Sequence, residues 1–253
     1  MNRRLVLLAA LTCPAVARAQ GTPPLRVLGT GAVAAATRDL ARGFTASTGR
    51  AIAFDNANAG TTARRLRGGE PVDLMLNSAG QVTRLVADGL LDGATVSELG
   101  RMLIGVATRA GAPMPDIATE AALRAAILAA PVIAHSDPAT GATAGTHAAQ
   151  VIERLGLAET MRLRTLVFPG GGAAVQAVAD GRAALAISQI SEIVAVPGAV
   201  LAGPLPEALQ LVTSYVGALA TRAADRDGAL SFLSYLTGPE GRARFRAAGF
   251  ATA

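Results

Sequence analysis

The sequence predicts an α/β protein of two lobes, each a mainly parallel sheet, joined by two crossing strands with a ligand cleft between the lobes. Three observations carry this expectation. Short apolar runs alternate with amphipathic helical patterns along most of the chain, the sign of strand–helix units packed in layers. Glycines and small polar residues cluster where an apolar run ends and a helical pattern begins. Two strand-like stretches, Arg101–Thr108 and Leu209–Ala220, are longer than the others, and each falls where one set of strand–helix units gives way to the next. The alternative reading of those two stretches is a single sheet with two long central strands.

Taken in order, the expected strands are Leu25–Leu28, Ala51–Phe54, Leu74–Leu76, Met102–Thr108, Val132–Ala134, Thr165–Phe168, Ala184–Ile187 and Leu209–Ala220. Helical periodicity covers Val33–Thr48, Thr62–Gly68, Gln81–Asp88, Thr119–Ala130, Gly145–Leu155, Ala173–Asp180 and Ser191–Val194. Two more helices, Asp225–Leu236 and Pro239–Ala248, are separated by Gly238, with Pro239 in its favoured first-turn place. The expected division is a leader at 1–19, the first part of lobe 1 at 20–104, lobe 2 at 105–208, and a return strand with terminal helices at 209–253.

The leader rests on a basic start (Met1–Arg4), an apolar run (Leu5–Leu11) and a small-residue cleavage motif, Ala17-Arg18-Ala19. The apolar run is too short to span a bilayer, so the expectation is a cleaved secretory signal and a periplasmic protein. Arg3-Arg4 lacks the flanking pattern of a twin-arginine signal, and Cys13 sits in a poor lipobox. Removing the leader removes the only cysteine, so no disulfide is expected and burial must supply stability.

The formal charge of +5 does not indicate nucleic acid. All 23 basic residues are arginines, three of them in the leader, which leaves a balance of +2. The remaining arginines are scattered among acids with few aromatics between them, unlike a groove that tracks phosphates. No His, Cys or acid cluster has metal-ligand spacing, and no nucleophile elbow, Walker loop or complete dinucleotide fingerprint is present, so neither metal nor cofactor is expected.

The four strand-to-helix junctions are the candidate site. In open α/β sheets ligands lie beyond the carboxyl ends of strands, where helix N-termini present free N–H groups to an anion. Gly31 and Ala32 would supply such groups after the first strand; an ordinary turn is the other reading. Gly60 and Thr61 belong either to a ligand loop or to a helix cap. Thr143 and Ala144 begin a helix, with Thr143 a hydroxyl donor. Gly171 and Gly172 permit close backbone approach to a ligand. Arg64 and Arg65 read as exposed helix residues, with reach to a carboxylate as the alternative, and Glu192 as a first-turn acid that stabilises its helix. His135 is a candidate general base at a strand end, or a packed core residue.

These segments resemble the periplasmic molybdate-binding proteins, within the type II periplasmic solute-binding fold. Arg26–Val33 looks like the first strand and ligand loop. Ala59–Leu66 with Gly69–Met75 is similar to the second loop, its helix and the next strand. Ser136-Asp137-Pro138 through Gly145, Pro169–Gly172, and Leu185–Glu192 match the later loops and the last strand end. The resemblance implies an anion held by serine hydroxyls, backbone N–H groups and a tyrosine. This sequence has Ala32 at the first serine position, Ala59 or Gly60 near the second, and Gln189 at the tyrosine position. A carboxylate-bearing solute is therefore expected alongside an oxyanion, because an amide offers both donor and acceptor.

The function so implied is capture of a small anion by a monomer that serves an ABC-type permease. The alternative is an isomerase on the same scaffold. A branch similar to this family isomerises an unsaturated tricarboxylate, trans- to cis-aconitate. His135, Glu192 or a water held by Gln189 would then be the base.

Overall fold

The computed structural model describes residues 22–252. The expected leader, with Cys13 and its cleavage site, lies outside the described residues. Lobe 1 opens with β1 (Leu25–Thr30), α1 (Gly31–Thr48), β2 (Ile52–Ala57), α2 (Ala59–Arg67), β3 (Leu74–Ser78) and α3 (Ala79–Ala87). The long β4 (Ser97–Arg109) leads into α4 (Glu120–Ala129), β5 (Ile133–Ser136), α5 (Thr143–Arg154), α6 (Ala158–Met161) and β6 (Thr165–Phe168). Then come α7 (Gly171–Ala179), β7 (Leu185–Gln189), α8 (Ile190–Val194) and β8 (Ala199–Pro204). The chain returns through β9 (Val212–Leu219) to α9 (Arg226–Thr237) and α10 (Pro239–Ala247).

The strands form one curled sheet in the order β2-β1-β3-β9-β4-β7-β5-β6, with β8 also on β4. Pairing is parallel in the two wings (β1 with β2 and β3, β5 with β6 and β7) and antiparallel around β4 and β9. The wings are strand–helix–strand units, whose crossovers force parallel neighbours. β4 serves both lobes. Ser97–Leu103 pair with β9, whereas Ile104–Thr108 pair with β7. The second crossing is the segment between β8 and β9. At the switch residue the Ile104 N–H donates to Gln210 Oε1 at 2.9 Å, and Gln210 Nε2 donates back to the Ile104 carbonyl at 3.0 Å. One side chain thus ties the two crossings together.

Successive strand residues point to opposite faces, and both faces of this sheet are covered. Val27, Leu74 and Leu76 join Leu40, Phe44, Phe232 and Phe245 on one side of lobe 1; Leu28 and Met75 join Leu66 and Leu85 on the other. In lobe 2, Ile133 and Ile187 pack with Leu123 and Val151, while Ala134 and Ala186 pack with Val175 and Val178. The smaller residues let α7 sit close to its strands.

Two expectations are corrected. The run Leu209–Ala220 is not strand throughout: Glu207–Leu209 is a 3-10 turn and the strand starts at Val212, because Gln210 turns its side chain onto Ile104. β8 was not expected, since its Gly203-Pro204 end resembles a turn; it is carried by pairing with β4 rather than by its own pattern.

Candidate functional site

Five helices start sooner than periodicity predicts, by two or three residues: α1 at Gly31, α2 at Ala59, α3 at Ala79, α5 at Thr143 and α7 at Gly171. All five follow an extended cap residue: Thr30, Asn58, Ser78, Ala142 and Gly170. Three of those caps (Thr30, Asn58 and Ser78) lie at or just beyond a strand end. The first turns escape the apolar pattern because α1, α2, α5 and α7 present them to the gap between lobes. Their leading N–H groups have no partner within the helix and aim at that gap.

The gap holds a small, partly open cavity of about 20 Å³. Lobe 1 lines it with Thr30, Gly31, Ala32, Asn58, Ala59 and Tyr215; lobe 2 lines it with Ser136, Ala142, Thr143, Ala144, Gly171, Gln189 and Glu192. That volume is room for about one water molecule, so a larger ligand needs the lobes to part. Contacts across the rim tie the lobes together. Asn58 Nδ2 donates to Thr140 Oγ1 at 2.7 Å and to the Pro169 carbonyl, and the Gly60 N–H donates to the Gly141 carbonyl at 3.1 Å.

Of the residues singled out by sequence, Gly31, Ala32, Thr143, Ala144, Gly171 and Gln189 lie in the cavity wall. Gly60 and Thr61 do not. Gly60 spends its N–H on lobe 2, and a Cβ there would sit 2.8 Å from the Thr140 carbonyl, so the glycine serves lobe contact. Thr61 accepts from Arg64 Nη2 at 2.9 Å on the exposed side of α2. Gly172 lies just outside the inner wall and turns its N–H toward Glu192. His135 is not in the wall either. Its Nδ1 donates to the Ser136 carbonyl at 2.8 Å and the residue is 5% exposed, packed within lobe 2.

Glu192 holds two roles at once. It is the third residue of α8 and reaches back to the N–H of its cap, Gln189, as an acid at this position does. The same carboxylate also stands in the cavity wall. It accepts from Ser188 Oγ at 2.8 Å and from the Gly172 N–H. A Cβ at Gly31 would lie 2.2 Å from Oε1, and one at Gly171 would lie 2.0 Å from Oε2. Neither glycine has a positive φ; both are there for room. Burial pushes the Glu192 carboxyl above the usual range, against the pull of these hydrogen bonds.

Gln189 Nε2 donates to the Tyr215 hydroxyl at 3.0 Å, which leaves Gln189 Oε1 buried without a partner. The Thr30 hydroxyl is likewise buried and unpartnered. Burial, and then the Glu192 charge, drive the Tyr215 hydroxyl well above its ordinary pKa. Tyr215 comes from β9, so a tyrosine faces this cavity from a crossing strand even though the last strand end carries Gln189. Sequence reasoning missed Thr30, Asn58, Ser136 and Tyr215; the first three lie in or beside the junctions it marked. Among the described residues no group of three or more His, Cys, Asp or Glu is placed to hold a metal.

Comparison with known proteins agrees with this geometry. The chain is 30% identical over 226 residues to an aconitate isomerase from a Pseudomonas species, covering 86% of this chain and 84% of that relative. Among solved structures it superposes on the periplasmic molybdate-binding protein of Azotobacter vinelandii with a TM-score of 0.77 at 20% identity, covering 90% of this chain and 99% of that one. The sulfate-binding protein SubI of Mycobacterium tuberculosis gives 0.72 at 16% identity, over 90% and 86% of the two chains. These two likenesses establish the type II periplasmic binding protein fold. The sequence model for bacterial extracellular solute-binding proteins matches residues 25–251, nearly the whole described chain, and the chain belongs to that family.

Proposed function

We propose that this protein is exported to the periplasm, closes its lobes on a small organic acid and delivers it, as a monomer, to an ABC-type importer. The observation that carries this reading is the mixed character of the cavity wall. The first turns of α1 and α5 and the unpartnered Thr30 hydroxyl offer donors suited to a carboxylate. The partnerless Gln189 Oε1, with its amide oriented toward Tyr215, offers an acceptor and needs a donor. A fully deprotonated tetrahedral oxyanion brings acceptors only and would leave that oxygen unpaired, at about 1–3 kcal/mol. An organic acid with a hydroxyl or a protonated carboxyl satisfies both sides. The test is Gln189→Ala, expected to weaken binding of such an acid by more than tenfold in calorimetric titration. Equal affinities would remove Gln189 from the site.

One observation favours a second reading, an isomerase of an unsaturated tricarboxylate. A general base works best with its pKa near the working pH, and Glu192 is a buried cavity carboxyl whose pKa is raised. Its carboxylate would take a proton from the methylene carbon beside a substrate carboxylate. That C–H electron pair becomes a new C=C bond as the old one shifts, and the proton returns to the carbon at the far end of the three-carbon unit. Glu192 ends as it began, and no cofactor is consumed. The 30% identical aconitate isomerase supports this reading.

A further inference from the structure

Beyond the inner cavity the cleft widens into an outer compartment of about 470 Å³, lined by both lobes. Gly31, Asn58 and Glu192 line both spaces, so together they form the partition between them. Three features mark the outer space as more than a channel. Ser191 lies in its wall, is 2% exposed, and its hydroxyl has no hydrogen-bond partner. A buried hydroxyl without a partner is costly unless a ligand supplies one. Arg38 also lies in the outer lining, on the lobe 1 side, its guanidinium stacked 5.6 Å above the Phe54 ring and bonded to Asn56 Oδ1. Those contacts fix a cation that otherwise would wander. Gly172, in the first turn of α7, has no atom within 4 Å of where its Cβ would point. Arg38 and Glu192 are the charged residues of this wall.

We propose that the outer compartment is a second carboxylate subsite. A ligand whose first carboxylate occupies the inner cavity passes the Glu192 partition and presents another to Ser191 Oγ and Arg38. This rests on the organic-acid reading of the inner cavity and narrows it. The ligand is a di- or tricarboxylic acid, with its connecting carbons beside the Glu192 carboxyl. A single-carboxylate acid fills only the inner space.

The test is calorimetric titration of the purified full-length product with citrate, a hydroxy tricarboxylate, and with glycolate, a single-carboxylate hydroxy acid. Arg38→Ala and Ser191→Ala are compared with wild type after their melting temperatures show that they fold. Wild type is expected to bind citrate at least tenfold tighter than glycolate. Each variant is expected to lose at least fivefold for citrate and nothing for glycolate. Unchanged citrate affinity in both variants, equal losses for the two acids, or equal wild-type affinities would overturn the subsite. Failure of wild type to bind either acid would overturn the organic-acid reading, and the subsite with it.

Discussion

Alanine at position 171 is expected to reduce ligand affinity at least a hundredfold in a protein that still folds. Its Cβ would lie 2.0 Å from Glu192 Oε2 and 2.2 Å from Ser188 Oγ. Both side chains must leave their places, and with them go the partition and the first turn of α7. Overpacking of this kind costs about 1–3 kcal/mol of stability. Gly172→Ala is the matched control. It has open space, so its stability should equal or slightly exceed wild type. Titration with a tricarboxylate and chemical denaturation of both variants check the pair. A fully active Gly171→Ala protein would mean that the Glu192 arrangement is not needed for binding.

Glu192→Gln is expected to flatten the pH dependence of stability. The carboxyl is raised above its unfolded value by burial. Its contribution is therefore fully present below the unfolded pKa of about 4.3, and is lost as pH rises through the higher folded value. Wild type should thus lose stability as pH rises above about 4.3, and the glutamine variant should not. Denaturant midpoints measured at several pH values decide this; parallel curves for the two proteins would contradict it. If the isomerase reading holds, the same variant loses about 10²–10⁴-fold in turnover, the usual contribution of a general base. Proton exchange into trans-aconitate, followed by NMR, would show that loss.

What was legible in the sequence follows from what each residue packs against. β1 carries Leu25, Val27 and Leu28 and β6 carries Leu166-Val167-Phe168, and the Thr165–Phe168 strand is found with the bounds its pattern predicts. The junction residues Gly31, Thr143 and Gly171 were legible because glycine and small polar residues between a strand and a helix suggest ligand contact. Tyr215 was not, because a tyrosine within an apolar strand reads as core, and only the sheet order brings β9 beside β3 and β4 at the cleft. Glu192 was half legible. Its capping role is local and visible in the spacing from Gln189. Its place between Gly31 and Gly171 depends on residues more than 150 positions apart meeting across the cleft. Gly60 misled for the same reason, since its partner Gly141 belongs to the other lobe.

The central claim is that this cleft takes an organic acid rather than a tetrahedral oxyanion. The most direct test is the shift in melting temperature of ligand-free protein with molybdate, sulfate and a series of di- and tricarboxylates. Mass action makes the reading simple: ligand at one hundred times its Kd stabilises the folded state by about 2.7 kcal/mol. The account predicts a clear rise with one or more tricarboxylates and none with molybdate or sulfate. A rise with molybdate alone would contradict it, and would mean that the helix N-termini hold an oxyanion without help from Gln189.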